Sequence, residues 1–335
     1  MTDYTKKIAK QNLAPLWNVM SSLITKEPKS DCQPYLWSYD DVRPALVEAG
    51  DIISAKEAVR RVLILENPGM KGQSKITTSL YGGLQLVLPG EVAPCHRHSQ
   101  SALRFILEGS GAHTAVNGER TFMSPGDFVI TPSMAWHDHG NHSDEPMVWL
   151  DGLDIPIVQF FDASFVEDLD QDEQEITQPP NTSQALFGEG LLPVENSHQG
   201  SCSPVFNYTY EKSRAALQTL KQTCENNPHH GQKLHYANPL DGGYAMPTMA
   251  TFLQLLQKKF TSQPYRSTDA SVFVCVEGSG SSTINGQVFS WGPRDIFVVP
   301  SWQWVSHKAN TDSVLFSFSD RAVQEKLGFW REQKG

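Results

Sequence analysis

Three things are missing from this chain of 335 residues. It has no apolar run near the roughly 18 residues of a membrane span, no stretch dense in lysine and arginine, and no cysteine pair at CxxC spacing. The first absence excludes a helical membrane protein. The N-terminus, MTDYTKKIAKQNLAPLW, also lacks the apolar core of a signal peptide, which argues against export. The second absence goes with an acidic balance, 37 carboxylates against 27 Lys and Arg, for a net charge of -10. Nucleic-acid phosphates would meet a repulsive field, which disfavours a polyanionic partner, and no nucleic-acid partner is expected. The third leaves five widely spaced cysteines, Cys32, Cys95, Cys202, Cys224 and Cys275, an odd number. They read as the reduced thiols of a cytoplasmic protein.

What the chain does contain is a repeat. The stretch ALRFILEGSGAHTAVNGERTFMSPGDFVITPSMAWHDH aligns with SVFVCVEGSGSSTINGQVFSWGPRDIFVVPSWQWVSH, sharing EGSG, then Asn-Gly, then Pro-Ser and Trp in one order. Upstream, LQLVL around Gln85 falls on LQLLQ around Gln254, and the register holds for more than fifty residues with one deletion. The segments are short apolar or alternating runs broken by glycine and proline, and Asn117-Gly118 is a strong hairpin signal. Two tandem copies of one all-β module follow, each an antiparallel sandwich or barrel.

Outside the copies the pattern is helical or irregular. LAPLWNVMSSLI has apolar residues at helical spacing, and SAKEAVRRVLIL begins with a capping box, Ser54 and Glu57, so both are predicted helices. YEKSRAALQTLKQTC is a third. Residues 162–175 hold seven acidic residues and no basic one, and read as a surface-running linker. The expected organisation is a helical segment over 1–65, a first module over 66–160, an acidic linker and helix over 161–230, and a second module over 231–335.

The chemistry-bearing residues lie in the first copy. His96 and His98 are two apart, so on a strand their imidazoles point to one side. A third ligand is available in TPSMAWHDHGNH, where His137, His139 and His142 stand together. In the repeat register Tyr265, Ser267 and Val305 occupy the places of His96, His98 and His137. Loss of all three together is what a metal-binding unit predicts.

Gly90, five residues, His96-x-His98 and Gly109 resemble the first cupin motif, and Gly126, five residues, Pro132, His137 and Asn141 the second. The chain resembles a bicupin, two tandem jelly-roll β-barrels with N-terminal and linking helices. More narrowly, LQLVLPGEVAPCHRHSQSALRFILEG, WLDGLDIP and the NPLDGG and MPTM segments resemble the gentisate 1,2-dioxygenase family, whose close relatives cleave salicylate or 1-hydroxy-2-naphthoate. The general cupin pattern has a glutamate four or five residues after the second histidine, where this chain has Ala102 and Leu103. Glu108 recurs as Glu277 in the copy without ligands, which favours a structural role. The reading is a three-histidine site, His96, His98 and His137, holding one Fe(II) per subunit in the N-terminal cupin.

Three neutral imidazoles leave the metal's charge uncompensated, and a small aromatic 2-hydroxy acid supplies the missing anionic oxygens, with O2 as co-substrate. Arg104, an even step after His98, faces the same cavity and suits the acid's carboxylate. The resemblance implies a second arginine, either Arg60 or Arg61, with Arg60 preferred. It also implies substrate contacts for Gln85 and Tyr81, although Gln254 repeats Gln85 and leaves a structural hydrogen bond as the competing role. His139 is either the alternative third ligand or the group that takes the substrate's phenolic proton. The resemblance gives Asp151 the task of orienting His139, with Asp154 as its neighbour in reserve. His113, His142, His198, His229, His230, His235 and His307 read as surface, turn or packing residues. The family also implies a homo-oligomer, a tetramer or dimer. The rival of another class is a non-catalytic ligand-binding or regulatory bicupin, disfavoured by the intact histidine trio.

Overall fold

The computed structural model describes residues 3–195 and 200–335, so His198 lies outside the described residues. Four antiparallel sheets pair into two barrels. In the first copy the larger sheet runs Phe128–Thr131, Ala102–Glu108, Met147–Leu153, Tyr81–Val87, and in the second Ile296–Val299, Ser271–Glu277, Ser313–Ser319, Ala250–Leu256. The smaller sheets run Val92–His98, His137–Gly140, His113–Val116, Glu119–Phe122 against Tyr265–Ser267, Val305–Ala309, Gly280–Ile284, Gln287–Trp291. The two orders are the same strand for strand, so the expected duplication of an all-β cupin barrel holds. Both Asn-Gly turns have positive φ at each central residue (46° and 83°, 48° and 83°), the backbone of a tight two-residue hairpin.

Alternation along the strands divides the core into three. Leu103, Phe105 and Leu107 join Phe316, Phe318 and Val274 in a cluster shared by the two barrels. Their neighbour Ile106 turns into the first barrel with Val129, Met147 and Trp149. The second barrel is filled by Phe273, Phe297, Leu315 and Trp291. Phe105 stacks on Phe316 at 4.1 Å between ring centroids, at the centre of the shared cluster. Phe316→Ala is expected to cost about 3–5 kcal/mol and lower the thermal midpoint. An unchanged midpoint would show that the barrels are stable without one another.

The segments before each barrel are exchanged. Tyr35–Trp37, preceding the first barrel, pairs with Ile296–Val299 of the second. Asn207–Tyr208, preceding the second, pairs with Phe128 and Val129 of the first. A 14-residue helix follows each strand, Tyr39–Ile52 and Tyr210–Thr223. Asp295 Oδ1 accepts from the backbone N–H of Tyr39, and Asp127 Oδ1 from that of Tyr210, both at 2.8 Å. Glu108 accepts from the Tyr39 hydroxyl and the Arg43 guanidinium, as its twin Glu277 does from Tyr210 and Arg214. These contacts give Glu108 and Glu277 their common structural task. The repeat therefore extends upstream through a Tyr-x-x-x-Arg signature shared by the two helices.

Three sequence expectations need correction. Ser54 and Glu57 do form the reciprocal capping bonds, Glu57 N–H to Ser54 Oγ at 3.2 Å and Ser54 N–H to Glu57 Oε2 at 3.2 Å. The chain then leaves the helical region at Val59 (φ 58°), and Val62–Ile64 becomes an edge strand beside Tyr81–Val87. The β-branched run pairs with an open sheet edge instead of extending a helix. LAPLWNVMSSLI forms only the short turns Leu16–Asn18 and Met20–Leu23, because its apolar face has nothing to cover, Trp17 being 71% exposed. The acidic stretch is no free-running linker. Val166–Asp168 pairs with His98, Arg97 and His96, and Cys95 N–H donates to Asp172 O at 2.8 Å.

Candidate active site

His96 and His98 sit on Val92–His98, and the adjacent strand places His137 directly opposite His96. The three rings lie 4.6–5.2 Å apart by centroid, and one nitrogen from each falls within 4.8 Å of the others. Backbone carbonyls set two of the tautomers. Gln100 O lies 2.9 Å from His98 Nδ1, and Ala135 O lies 3.0 Å from His137 Nδ1. A carbonyl only accepts, so each Nδ1 carries the proton and each Nε2 keeps a lone pair. Burial, helped by Arg60 and Arg104, holds all three imidazoles below their ordinary pKa: His96 at about 2, His98 at about 4, His137 well down. Neutral imidazoles with inward lone pairs are the form a metal takes. The donor set thus fits a divalent transition metal, and no carboxylate belongs to the group.

His139 stands outside the trio. Its Nδ1 meets Thr114 Oγ1 at 3.0 Å, and its Nε2 is buried without a hydrogen-bond partner. The Thr114 hydroxyl donates to Met123 Sδ at 3.3 Å, so it accepts from Nδ1–H and leaves the Nε2 of His139 as a base. Burial and the two arginines keep this ring neutral as well. In the second barrel His307 contacts Ser282 in the same register, so the hydroxyl partner belongs to the architecture of the repeat. There Tyr265 stands opposite Val305, as His96 stands opposite His137.

Two arginines reach the trio. Arg60 donates to Pro94 O at 3.0 Å, and its other terminal nitrogen lies 3.4 Å from His96 Nε2. Arg61 turns away into a bidentate pair with Glu91, at 2.8 and 2.5 Å, and is 3% exposed. The adjacent arginines therefore have opposite surroundings. Arg60→Ala is expected to raise KM with little change in melting midpoint. Arg61→Ala should do the reverse, because it strands Glu91 at a cost of about 3–5 kcal/mol. Steady-state kinetics with thermal unfolding of both variants separates the two roles.

Arg104 is buried, donates to Thr131 Oγ1 at 2.6 Å and holds its Nε 3.6 Å from Asp151 Oδ1. Asp151 lies opposite Arg104 in the sheet and also accepts from Trp149 Nε1 at 3.0 Å. Burial pushes the Asp151 carboxyl up to about 6, against the pull of Arg104. The expectation that Asp151 orients His139 is therefore corrected. Strand register gives Asp151 to the arginine, and a hydroxyl from a neighbouring strand takes the histidine. Asp154 accepts from Ser101 N–H and Thr248 Oγ1, fastening the loops of the two copies together. Gln85 is 2% exposed with an unpartnered Nε2, whereas the same atom of Gln254 donates to His230 O at 2.7 Å. The structural bond is thus made in the second copy and left open in the first. Tyr81 is half-buried at the end of the same strand.

Sequence reasoning missed Thr114, Thr131 and Trp149, the residues that hold His139, Arg104 and Asp151. Trp149 was within reach, since it stands two residues before Asp151 on one strand face. The two threonines carry no signal until the strands are paired.

Comparison with known proteins bears on what such a site is for. A cupin domain family model matches residues 83–153. The chain is 58% identical over 332 residues, 99% of its length and 96% of the relative's, to gentisate 1,2 dioxygenase 1 of Aquipseudomonas alcaligenes. It is 37% identical to 5-aminosalicylate 1,2-dioxygenase of a Comamonas species, with coverage of 97% and 88%. Among solved structures, salicylate 1,2-dioxygenase of Pseudoaminobacter salicylatoxidans in its adducts with gentisate superposes with a TM-score of 0.93 at 34% identity, covering 98% and 92% of the two chains. With the histidine trio in the first cupin copy and similarity running through both copies, the chain belongs to the gentisate 1,2-dioxygenase family of bicupin ring-cleaving enzymes.

Proposed function

We propose that this enzyme uses Fe(II), held by His96, His98 and His137, to open the ring of gentisate (2,5-dihydroxybenzoate) between C1 and C2 with O2, giving maleylpyruvate. The observation that carries the reading is a trio of neutral histidines, His96 and His137 buried and His98 half-buried, with no carboxylate among them and Arg60 and Arg104 beside them. Such a site is short of anionic oxygen, and a 2-hydroxybenzoate brings two such groups. When bound, iron supplies the one-electron redox chemistry that lets dioxygen react with a closed-shell arene; zinc has no such redox chemistry.

The chain's own residues do the rest. Arg104, its planar fork fixed by Thr131 and Asp151, offers a preorganised partner to the substrate carboxylate. Arg60 adds the second positive charge. His139 Nε2 accepts the proton of the 2-hydroxyl, while Thr114 holds the ring through Nδ1. Asp151 balances Arg104, so this arginine is not an unopposed buried cation before substrate arrives. The Gln85 amide is available to hydrogen-bond a substrate oxygen, and Tyr81 lines the strand end beside it.

A cytoplasmic homo-oligomer, dimer or tetramer, is part of this reading. The exposed Leu16, Trp17, Leu23 and Ile24 supply apolar surface for subunit contact. None of the five cysteines forms a disulfide among the described residues, and no helix among them is long and apolar enough to cross a membrane. The test is anaerobic loading with Fe(II), then oxygen uptake with gentisate, salicylate and 1-hydroxy-2-naphthoate in parallel. Gentisate is expected to be consumed fastest, one O2 per ring. No uptake with any of the three, in protein shown to contain iron, would overturn the reading. Faster turnover of salicylate would move the chain to its relatives' chemistry.

A further inference from the structure

Behind the strand that carries His137 and His139 lies a second group of donors. Side chains alternate along a strand, so with Thr114 and His139 facing the barrel interior, His113 and Asp138 face outward. The acidic stretch covers them. Gln174 N–H donates to Asp138 Oδ2 at 3.0 Å, and Glu173 comes to 3.9 Å from His113 Nε2. His142 stacks on His113 at 5.3 Å between ring centroids.

The polar accounting here does not close. His113 is fully buried and neither ring nitrogen has a hydrogen-bond partner. Asp138 Oδ1 is buried and unpartnered too, 4.0 Å from His113 Nε2, beyond hydrogen-bond reach. Groups left in this state have lost their water without a hydrogen bond in return, which destabilises the fold unless something else meets them. A proton on His113 would not close the gap, since Asp138 Oδ1 stands 4.0 Å from Nε2. A metal cation would instead accept the imidazole lone pair and offset the carboxylates. Asp138 and Glu173 together outweigh Arg120, the one cation in the group, whose guanidinium lies 3.3 Å from Glu173.

We propose that His113, His142 and Glu173 form a second metal site, for a divalent transition cation of the zinc type, on the outer face of the sheet whose inner face carries the first. Their donor atoms already lie within 4.8 Å of one another. Bonds of about 2.0–2.2 Å require them to close further. His142 is exposed and the Glu173 side chain is 40% exposed, so both can move inward while His113 stays fixed. Arg120 must then give up Glu173 Oε1. Two imidazoles and one carboxylate, with a position open to water, suit zinc better than magnesium or calcium. Bound there, the ion clamps the acidic segment onto the back of the strand that holds His137 and His139. This role is distinct from that of the first site and does not depend on which substrate that site takes.

The test is zinc stoichiometry on the untagged full chain, stripped with chelator, dialysed against zinc and read by elemental analysis. The wild type is expected to hold two zinc ions per chain. His142→Ala should hold one, Glu173→Gln should bind the second at least about tenfold more weakly, and His96→Ala/His98→Ala should keep one. Zinc should raise the melting midpoint of that double variant, and adding His142→Ala should abolish the rise. One ion in the wild type, or two retained in His142→Ala, overturns the proposal. Because His142 is exposed, the comparison of wild type with His142→Ala stands even if the double variant fails to fold.

Discussion

His137→Ala protein is expected to lose its iron and with it essentially all oxygen uptake, while His139→Ala keeps the iron and is only slowed in turnover. Partners one shell beyond a metal already change its affinity by about 10–100-fold, so removing one of three ligands should exceed that range. The geometry gives the two histidines different fates. His137 joins the donor group with His96 and His98, and its Nδ1 is committed to a carbonyl. His139 is committed to Thr114 and leaves a buried lone pair without a partner. A general base is worth about 10²–10⁴-fold, so His139→Ala should retain measurable activity that rises as the substrate's own hydroxyl ionises. Iron content by elemental analysis, with turnover per iron, decides the matter. Iron retained in His137→Ala and lost in His139→Ala would exchange the two roles.

The second large effect is at Arg104. Arg104→Met removes a guanidinium held against a buried carboxylate, so two losses are expected together. The substrate loses its preorganised partner, worth about 2–5 kcal/mol for a buried charged pair, which corresponds to roughly 30- to several-thousand-fold in kcat/KM. Asp151 loses its counter-charge inside the barrel, which costs a further ~3–5 kcal/mol of stability. Arg104→Met/Asp151→Asn separates the two losses. It should recover most of the melting midpoint and none of the kcat/KM. If the double variant regained turnover, Arg104 would serve the fold alone. Arg104→Lys is expected to fall between, since an ammonium keeps the charge and loses the fork that Thr131 and Asp151 align.

How much of this could be read in the sequence depended on whether the signal was local. His96-x-His98 is a strand-periodic pair, and its period carried over intact to the paired rings. Arg104 was read as an even step from His98 along one strand. The two stand on separate strands of different sheets, Val92–His98 and Ala102–Glu108, and come near one another all the same. The absent glutamate was legible because Ala102 and Leu103 stand at fixed positions in a motif. The duplication was legible because its turns need glycine and asparagine in positive-φ conformations that few other residues tolerate.

What failed depended on cross-strand partners. Asp151 was assigned to His139, but strand register sets it opposite Arg104. The Arg60 and Arg61 segment was read as a helix because its capping box is genuine; the competing edge of Tyr81–Val87 is invisible until the barrel closes. The acidic segment lacked periodicity because its folding information lies in single contacts, such as Gln174 on Asp138, instead of an apolar face. The upstream Tyr-x-x-x-Arg repeat was present in the sequence and was overlooked, since two residues in fourteen carry no hydrophobic pattern.

The exchanged strands Tyr35–Trp37 and Asn207–Tyr208 bear on dilution. Each barrel's larger sheet is completed by a strand that precedes the other barrel, related by an approximate two-fold, as in a symmetric pair of separate chains. Such a pair would fall apart as its concentration dropped, taking an edge of the barrel that carries the histidine trio with it. Here the connection between the copies makes the encounter intramolecular, with an effective concentration set by the tether and not by the cell. The second copy, which lacks the histidine trio, is a permanently supplied partner to the first.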